Sequence, residues 1–280
     1  MAFLLAGWAA LFYGVADFCG GFAARKAPLL PTLILGQLVG GLVALAALLT
    51  VAGGQPVPRD LLWGALAGLT GTLGMFTLYG GLARSIVAIV SPTSAMVGTV
   101  LPVLFGLCLG ERPQAMAVTG SLLCLPAILL LTWEGGDARH DRQESRAALG
   151  YGVLAGLGFG CFFICISRAH AGSGVWPLLG ARTASFTACL IALRVTGREF
   201  RLTRASLLPA VLSGSTDMAA NVMYLVATQK GMLSLVTVIT SLYPAPTVIL
   251  ARIFMHQKLP PVRLAGLALA LTGVGLISFR

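Results

Sequence analysis

Three ionisable side chains, Asp17, Arg182 and Asp217, stand inside long apolar stretches of this 280-residue chain. An ionisable group at mid-bilayer costs about 2.5 to 3.5 kcal/mol on insertion scales, so each needs a partner or a task. Asp17 lies roughly 21 Å from Phe3 at the rise of an α-helix, with Tyr13 at i−4 and Gly14 and Gly21 beside it leaving room around the carboxylate. Arg182 falls about two turns into its own run. Asp217 heads a polar stripe, with Asn221 at i+4 and Tyr224 at i+7 on one helix face. Two chemistries fit these residues. Either carboxylate neutralises Arg182 and locks helices together, or one carboxylate binds a cationic substrate or a proton while Arg182 anchors an anionic group or tunes a carboxylate. Gln37 is a further polar residue in an apolar run, where interhelical hydrogen bonding is the simpler role.

No constellation for catalysis accompanies them. His140, His170 and His256 are isolated, without metal-ligand spacing, and the sequence has no GxSxG, no HExxH and no glycine-rich phosphate loop. An enzyme, a metal site and a bound cofactor are therefore not expected. With no ATP-binding motif, any work done by the chain would draw on a gradient or on the substrate itself.

The elements that hold these residues follow from composition. Hydrophobic residues make up 57% of the chain and charged ones 10%, too little polar surface for a soluble globule of this length. Runs of about 20 apolar residues, rather than alternating runs of about 10, select membrane-spanning helices over a barrel. The net charge of +10 comes from Lys and Arg placed singly between apolar spans and in two short loops. Phospholipid headgroups fit these charges better than nucleic acid does. All six cysteines fall within apolar spans, as small buried hydrophobes do, and suggest no disulfide framework.

Ten spans can be drawn: 3 to 24, 32 to 52, 60 to 83, 86 to 109, 114 to 133, 148 to 169, 176 to 195, 204 to 228, 232 to 254 and 261 to 279. The first lacks a basic leader and carries Asp17, so it reads as a helix rather than a cleaved signal. Between the fifth and sixth lies the one charge-dense stretch. It divides the chain into 1–133, a linker at 134–147, and 148–280. Gly36 and Gly40, Gly64 and Gly68, and Gly152, Gly156 and Gly160 recur at four-residue spacing, where close helix contact is expected. Prolines such as Pro92, Pro102, Pro244 and Pro246 fall in the fourth and ninth spans beside hydroxyl residues and should kink them. Those hydroxyls fit either a cavity lining or bonds back to their own helix.

The halves resemble each other. A displacement of 146 carries residues 85–113 onto 231–259, placing Glu111 over Gln257, Arg112 over Lys258 and Gly120 over Gly266. Tyr79 meets Tyr224 after a one-residue adjustment; matched tyrosines fit either an interfacial belt or a pair of gates. Short linkers make successive helices antiparallel, and five helices per half would set the two halves in opposite orientations with a site between them. Glu111 and Arg112, between an apolar run and Pro113, belong to a surface turn away from any substrate.

The chain resembles the drug/metabolite transporter superfamily, EamA type, over nearly its whole length. GVADFCGGFAARKAP at 14–28, the segment from Tyr79 to Pro113 with its LGERP ending, and its copy from Tyr224 to Leu259 carry the likeness. The resemblance implies an all-α integral membrane protein: ten helices in two inverted five-helix repeats around a central cavity. The implied function is secondary transport, as an exporter of small metabolites (amino acids or related amphiphilic or cationic compounds) by alternating access, with protons as a possible partner beside substrate and lipid. An uncoupled facilitator and a non-transporting structural protein are the alternatives. The expected location is the bacterial inner (plasma) membrane. On these grounds Tyr13, Asp17, Tyr79, Arg182, Asp217, Asn221 and Tyr224 are the candidate substrate-binding or coupling residues. Two features depart from the family: Gln257 replaces the usual acidic residue, and charge disagrees with topology. Thirteen Lys and Arg fall in the loops opposite the termini and five at the termini's own end, which favours both termini outside, whereas many members keep them cytoplasmic.

Overall fold

The computed structural model describes residues 1–50, 54–84, 87–133, 142–255 and 260–278. The helices are α1 (Ala2–Ala24), α2 (Leu29–Thr50), α3 (Pro58–Arg84), α4 (Val87–Cys108), α5 (Ala115–Thr132), α6 (Arg142–Ser167), α7 (Trp176–Val195), α8 (Arg204–Lys230), α9 (Leu233–Thr240), α10 (Pro244–Met255) and α11 (Pro261–Ser278), with a 3-10 turn at Ala171–Ser173. No strand occurs among the described residues. Gln257, Lys258, His140, His256 and most of the charged linker lie outside them.

Nine stretches among the described residues are long and apolar enough to cross a bilayer, with α9 and α10 counting together as Leu233–Met255. Helix α8 is not one of them, although it is as long as α3. Ser213, Ser215, Thr216, Asp217 and Asn221 lower its hydropathy, and several of them prove to face the interior rather than lipid.

The prolines act unequally. Helix α4 continues through Pro92 and Pro102 without a break in its helical run. The ninth span instead breaks at Ser241–Tyr243. There Pro244 and Pro246 remove two donors within one turn. The backbone shifts to i→i−3 bonds, from Leu242 N–H to Ile239 O, Tyr243 N–H to Thr240 O and Ala245 N–H to Leu242 O.

Small residues set how closely the helices meet. A Cβ at Gly64 or Gly68 of α3 would collide with the backbone of Pro177 or Ala181 on α7, and one at Gly156 of α6 would come within 2.5 Å of Val97 on α4. The four-residue glycine ladders thus mark helix contacts, as expected. Helix α1 packs antiparallel to α8: Thr203 Oγ1 donates to Lys26 O at 3.1 Å, Ser213 Oγ to Ala16 O at 2.8 Å and the Tyr13 hydroxyl to Asn221 Oδ1 at 3.0 Å. Helix α3 is antiparallel to α6, with Gly71 against Phe162 and Gly81 against Tyr151. Helix α5 pairs with α11 through Gly120 and Gly273.

One end of the bundle is packed shut. All eight residues of α9 are buried there. Leu233 N–H and Ser234 N–H donate to Glu111 Oε1 and Oε2 at 2.5 and 2.9 Å, so the carboxylate caps the orphan amides at the start of α9. Trp176 Nε1 donates to Gly54 O at 3.0 Å, and the Ser173 hydroxyl donates to the buried Asp60 carboxylate.

Candidate functional site

Four helices bring one polar chain together in the interior. Arg182 of α7 forms an ion pair with Asp217 of α8, and its Nη1 donates to Gln37 Oε1 of α2 at 2.7 Å. Gly40 makes room for it, since a Cβ there would lie 3.1 Å from Arg182 Nε. Asn221, one turn beyond Asp217, donates from Nδ2 to Asp217 Oδ2 at 3.1 Å and to the Asp217 carbonyl at 2.7 Å. Its Oδ1 accepts from Tyr13 on α1. The chain therefore runs Gln37, Arg182, Asp217, Asn221, Tyr13. The Arg182 side chain is 12% exposed and that of Asp217 34%, so the pair sits at a cavity wall with one carboxylate edge toward the opening. Of the two roles open to Arg182, pairing is the one the geometry displays, and the partner is Asp217.

Asp17 is not in this chain. Among the described residues it has neither an ion pair nor a hydrogen bond, and its side chain is exposed to interior space. It lines two adjoining cavities. The first, about 230 Å³, is walled by Tyr13, Asp17, Tyr79, Phe159, Phe162 and Tyr243, with the Arg182–Asp217 pair and Asn221 at its side. The second, about 320 Å³, shares Asp17, Leu78, Phe159 and Tyr243 with the first. It extends past Ser91, Ser94 and Thr247 to Arg25, Thr132 and Arg263. Arg25 caps the end of α1, Thr132 ends α5 and Arg263 lies in the first turn of α11, so the space reaches the end of the bundle opposite α9.

The candidate residues thus separate into three groups. Tyr13, Arg182, Asp217 and Asn221 form the polar chain; Asp17 and Tyr79 line open space; Tyr224 lines neither cavity. Tyr224 is fully buried at the packed end, with its hydroxyl 2.9 Å from Thr237 Oγ1 and 3.4 Å from Phe163 O, to which it donates. Gln37 proves to be an interhelical partner, the simpler of its two roles. The hydroxyl runs divide in the same way: Ser91 and the largely buried Ser94 border the second cavity, whereas Thr237, Thr240 and Ser241 are buried and border neither cavity.

Sequence reasoning passed over Phe159, Phe162 and Phe163 because α6 carries no ionisable residue at that level. Tyr243 stands directly before Pro244 in the ninth span. The break before Pro244 turns it inward, where its ring lies 6.3 Å from Tyr13. No group of three or more His, Cys, Asp or Glu able to hold a metal occurs among the described residues.

Comparison with known proteins agrees with this architecture. A crystal structure described only as that of a protein superposes with a TM-score of 0.82 at 18% identity, covering 99% of this chain and 96% of that one, which establishes the shared fold. No curated protein matches the chain in sequence. Residues 146–279, which supply α6 beyond its first turn and α7 to α11, match the EamA-like transporter family. The helical bundle, its interior cavity and this match agree: over residues 146–279 the chain is similar to the EamA-like transporter family, a family of membrane transporters.

Proposed function

We propose that the protein is a secondary carrier that exports small amphiphilic compounds bearing a positive charge, by alternating access between two inverted five-helix halves. The single observation behind the cargo is Asp17. It is the carboxylate that lines both cavities without a direct partner among the described residues, while the Arg182 charge is already met by Asp217. Aromatic rings of Tyr13, Tyr79, Phe159 and Tyr243 around it suit an organic ammonium, whose charge is attracted by ring faces and by the carboxylate together. A free anion would find no uncompensated cation at that depth among the described residues. One carboxylate that accepts either a proton or a cation also provides antiport without further parts.

The helix pairings support the inverted halves. Exchange of the first five spans with the last five turns the α1 with α8 contact into that of α6 with α3, and the α2 with α8 contact into that of α7 with α3. Both exchanged pairs occur. The open cavities and the packed α9 end fit one of the two alternating states. Arg25 and Arg263 at the open end belong to the set of thirteen Lys and Arg that the sequence assigns to the loops opposite the termini, so by the positive-inside rule we take that end as the cytoplasmic one, ready to load cargo for export.

Reconstitution into liposomes with an imposed pH gradient tests this reading, using a panel of amines, cationic dyes, neutral amino acids and carboxylates. Cationic members should exchange against protons and dissipate the gradient. Movement of cations without gradient dissipation would favour an uncoupled facilitator, and preferential movement of carboxylates would overturn the assignment of cargo.

A further inference from the structure

The two ends of the bundle hold matching parts in opposite states. At the packed end Tyr224 of α8 reaches Thr237 of α9 at 2.9 Å and the Phe163 carbonyl of α6 at 3.4 Å, with its ring 4.7 Å from that of Phe163. Three helices are fastened through one phenol. The 146-residue displacement gives each of these residues a counterpart: Ser91 stands over Thr237, Asp17 over Phe163, and Tyr79 over Tyr224 with the one-residue adjustment. These counterparts lie on α4, α1 and α3, and none is buried: Ser91 lines the second cavity, Tyr79 the first, and Asp17 both. A hydroxyl pair that is made at one end therefore has an unmade copy at the other.

We infer that Tyr79 and Ser91 form a second latch, which closes the arginine-rich end when the Tyr224 to Thr237 latch opens. The inference rests on the carrier reading above and adds to it the residues that hold each state. In the alternate state the Tyr79 hydroxyl bonds the Ser91 hydroxyl, joining α3 to α4 as α8 is now joined to α9. The copies differ in one informative respect. Tyr224 finds a backbone carbonyl on α6, whereas Tyr79 would find the Asp17 side chain on α1, the residue proposed to hold the cargo's charge. Closure of the loading end is thereby brought into contact with the carboxylate that holds the bound cargo.

Each latch contributes a hydrogen bond to one state only, so deleting it should change the ratio of states by about three- to tenfold. Cys165, buried within the same core cluster as Phe163 and Tyr224, reports opening of the packed end, and Cys124, buried between α5 and α11, serves as reference. The full-length protein in detergent is exposed to N-ethylmaleimide, and labelling of each cysteine is followed by mass spectrometry. Tyr224→Phe should speed Cys165 labelling relative to Cys124 by about three- to tenfold, and Tyr79→Phe should slow it by a similar factor. Ser91→Ala should act as Tyr79→Phe does, and the double variant Tyr79→Phe with Tyr224→Phe should return towards the wild-type rate. The proposal is overturned if Tyr79→Phe and Ser91→Ala leave Cys165 unchanged, accelerate it, or alter Cys124 in parallel. Since no transported compound is present, the result is independent of whether the cargo assignment holds.

Discussion

The carboxylate of Glu111 accepts the backbone N–H of Ser234 at 2.9 Å, across 123 residues of sequence. With Leu233 N–H on its other oxygen, it joins the turn after α4 to the first turn of α9, and so ties the two halves at the packed end. The acidic residue of the LGERP segment is thus a helix cap, placed by the surface turn and absent from both cavity walls.

Glu111→Ala should therefore lower stability by about 1 to 2 kcal/mol, the range for loss of a charged cap. Glu111→Gln keeps one acceptor and should lose less. In both variants the relative uptake of different compounds by liposomes should match the wild type. A changed order of substrates with normal expression would show that Glu111 does more than hold α9.

Arg182 and Asp217 should behave as one unit. Arg182→Gln leaves the carboxylate without its counter-charge. A loss of about 2 kcal/mol is expected, below the figure for a fully buried pair because the Asp217 side chain is 34% exposed at the cavity wall. Adding Asp217→Asn should recover part of that loss. A double-mutant cycle on unfolding in detergent measures the coupling, and strictly additive losses would mean that the pair contributes no net stability.

Asp17→Asn keeps the side chain's shape and removes its charge. No direct partner among the described residues depends on that charge, so the variant should insert and melt within about 0.5 kcal/mol of wild type, as substitutions away from packed features do. Uptake of cationic compounds should fall at least tenfold and lose its dependence on the pH gradient. Wild-type uptake with intact pH dependence would remove Asp17 from the mechanism; failure to fold would make it structural.

Glycine substitutions should separate packed from open positions. Gly64→Ala and Gly68→Ala drive a methyl into the α7 backbone and should each destabilise by about 1 to 3 kcal/mol. Gly7→Ala and Gly150→Ala meet nothing within 4 Å and should be neutral or slightly stabilising, through helix propensity. Thermal melting of the four variants in one detergent makes the comparison.

Membrane class, the helices and their approximate bounds were legible in sequence because hydropathy and turn residues act locally: twenty apolar residues make a span wherever their neighbours lie. Asp17, Arg182 and Asp217 could be singled out for the same reason, since a charge in an apolar run is conspicuous without any structure. The glycine ladders likewise announced close contacts, though not their partners. What spacing along the chain cannot encode is which carboxylate meets Arg182. That depends on α7 packing beside α2 and α8, which delivers Asp217 to the guanidinium and leaves Asp17 facing the cavity. The unequal effect of the prolines was hidden for a related reason, because Pro92 and Pro102 lie nearly three turns apart and leave α4 continuous, whereas Pro244 and Pro246 together remove two donors from one turn. Tyr79 and Tyr224 carry the contrast furthest. Their matched positions were visible in the sequence, but one lines open space and the other is sealed, because a repeat specifies equivalent parts and only the packing of one state decides which copy is buried.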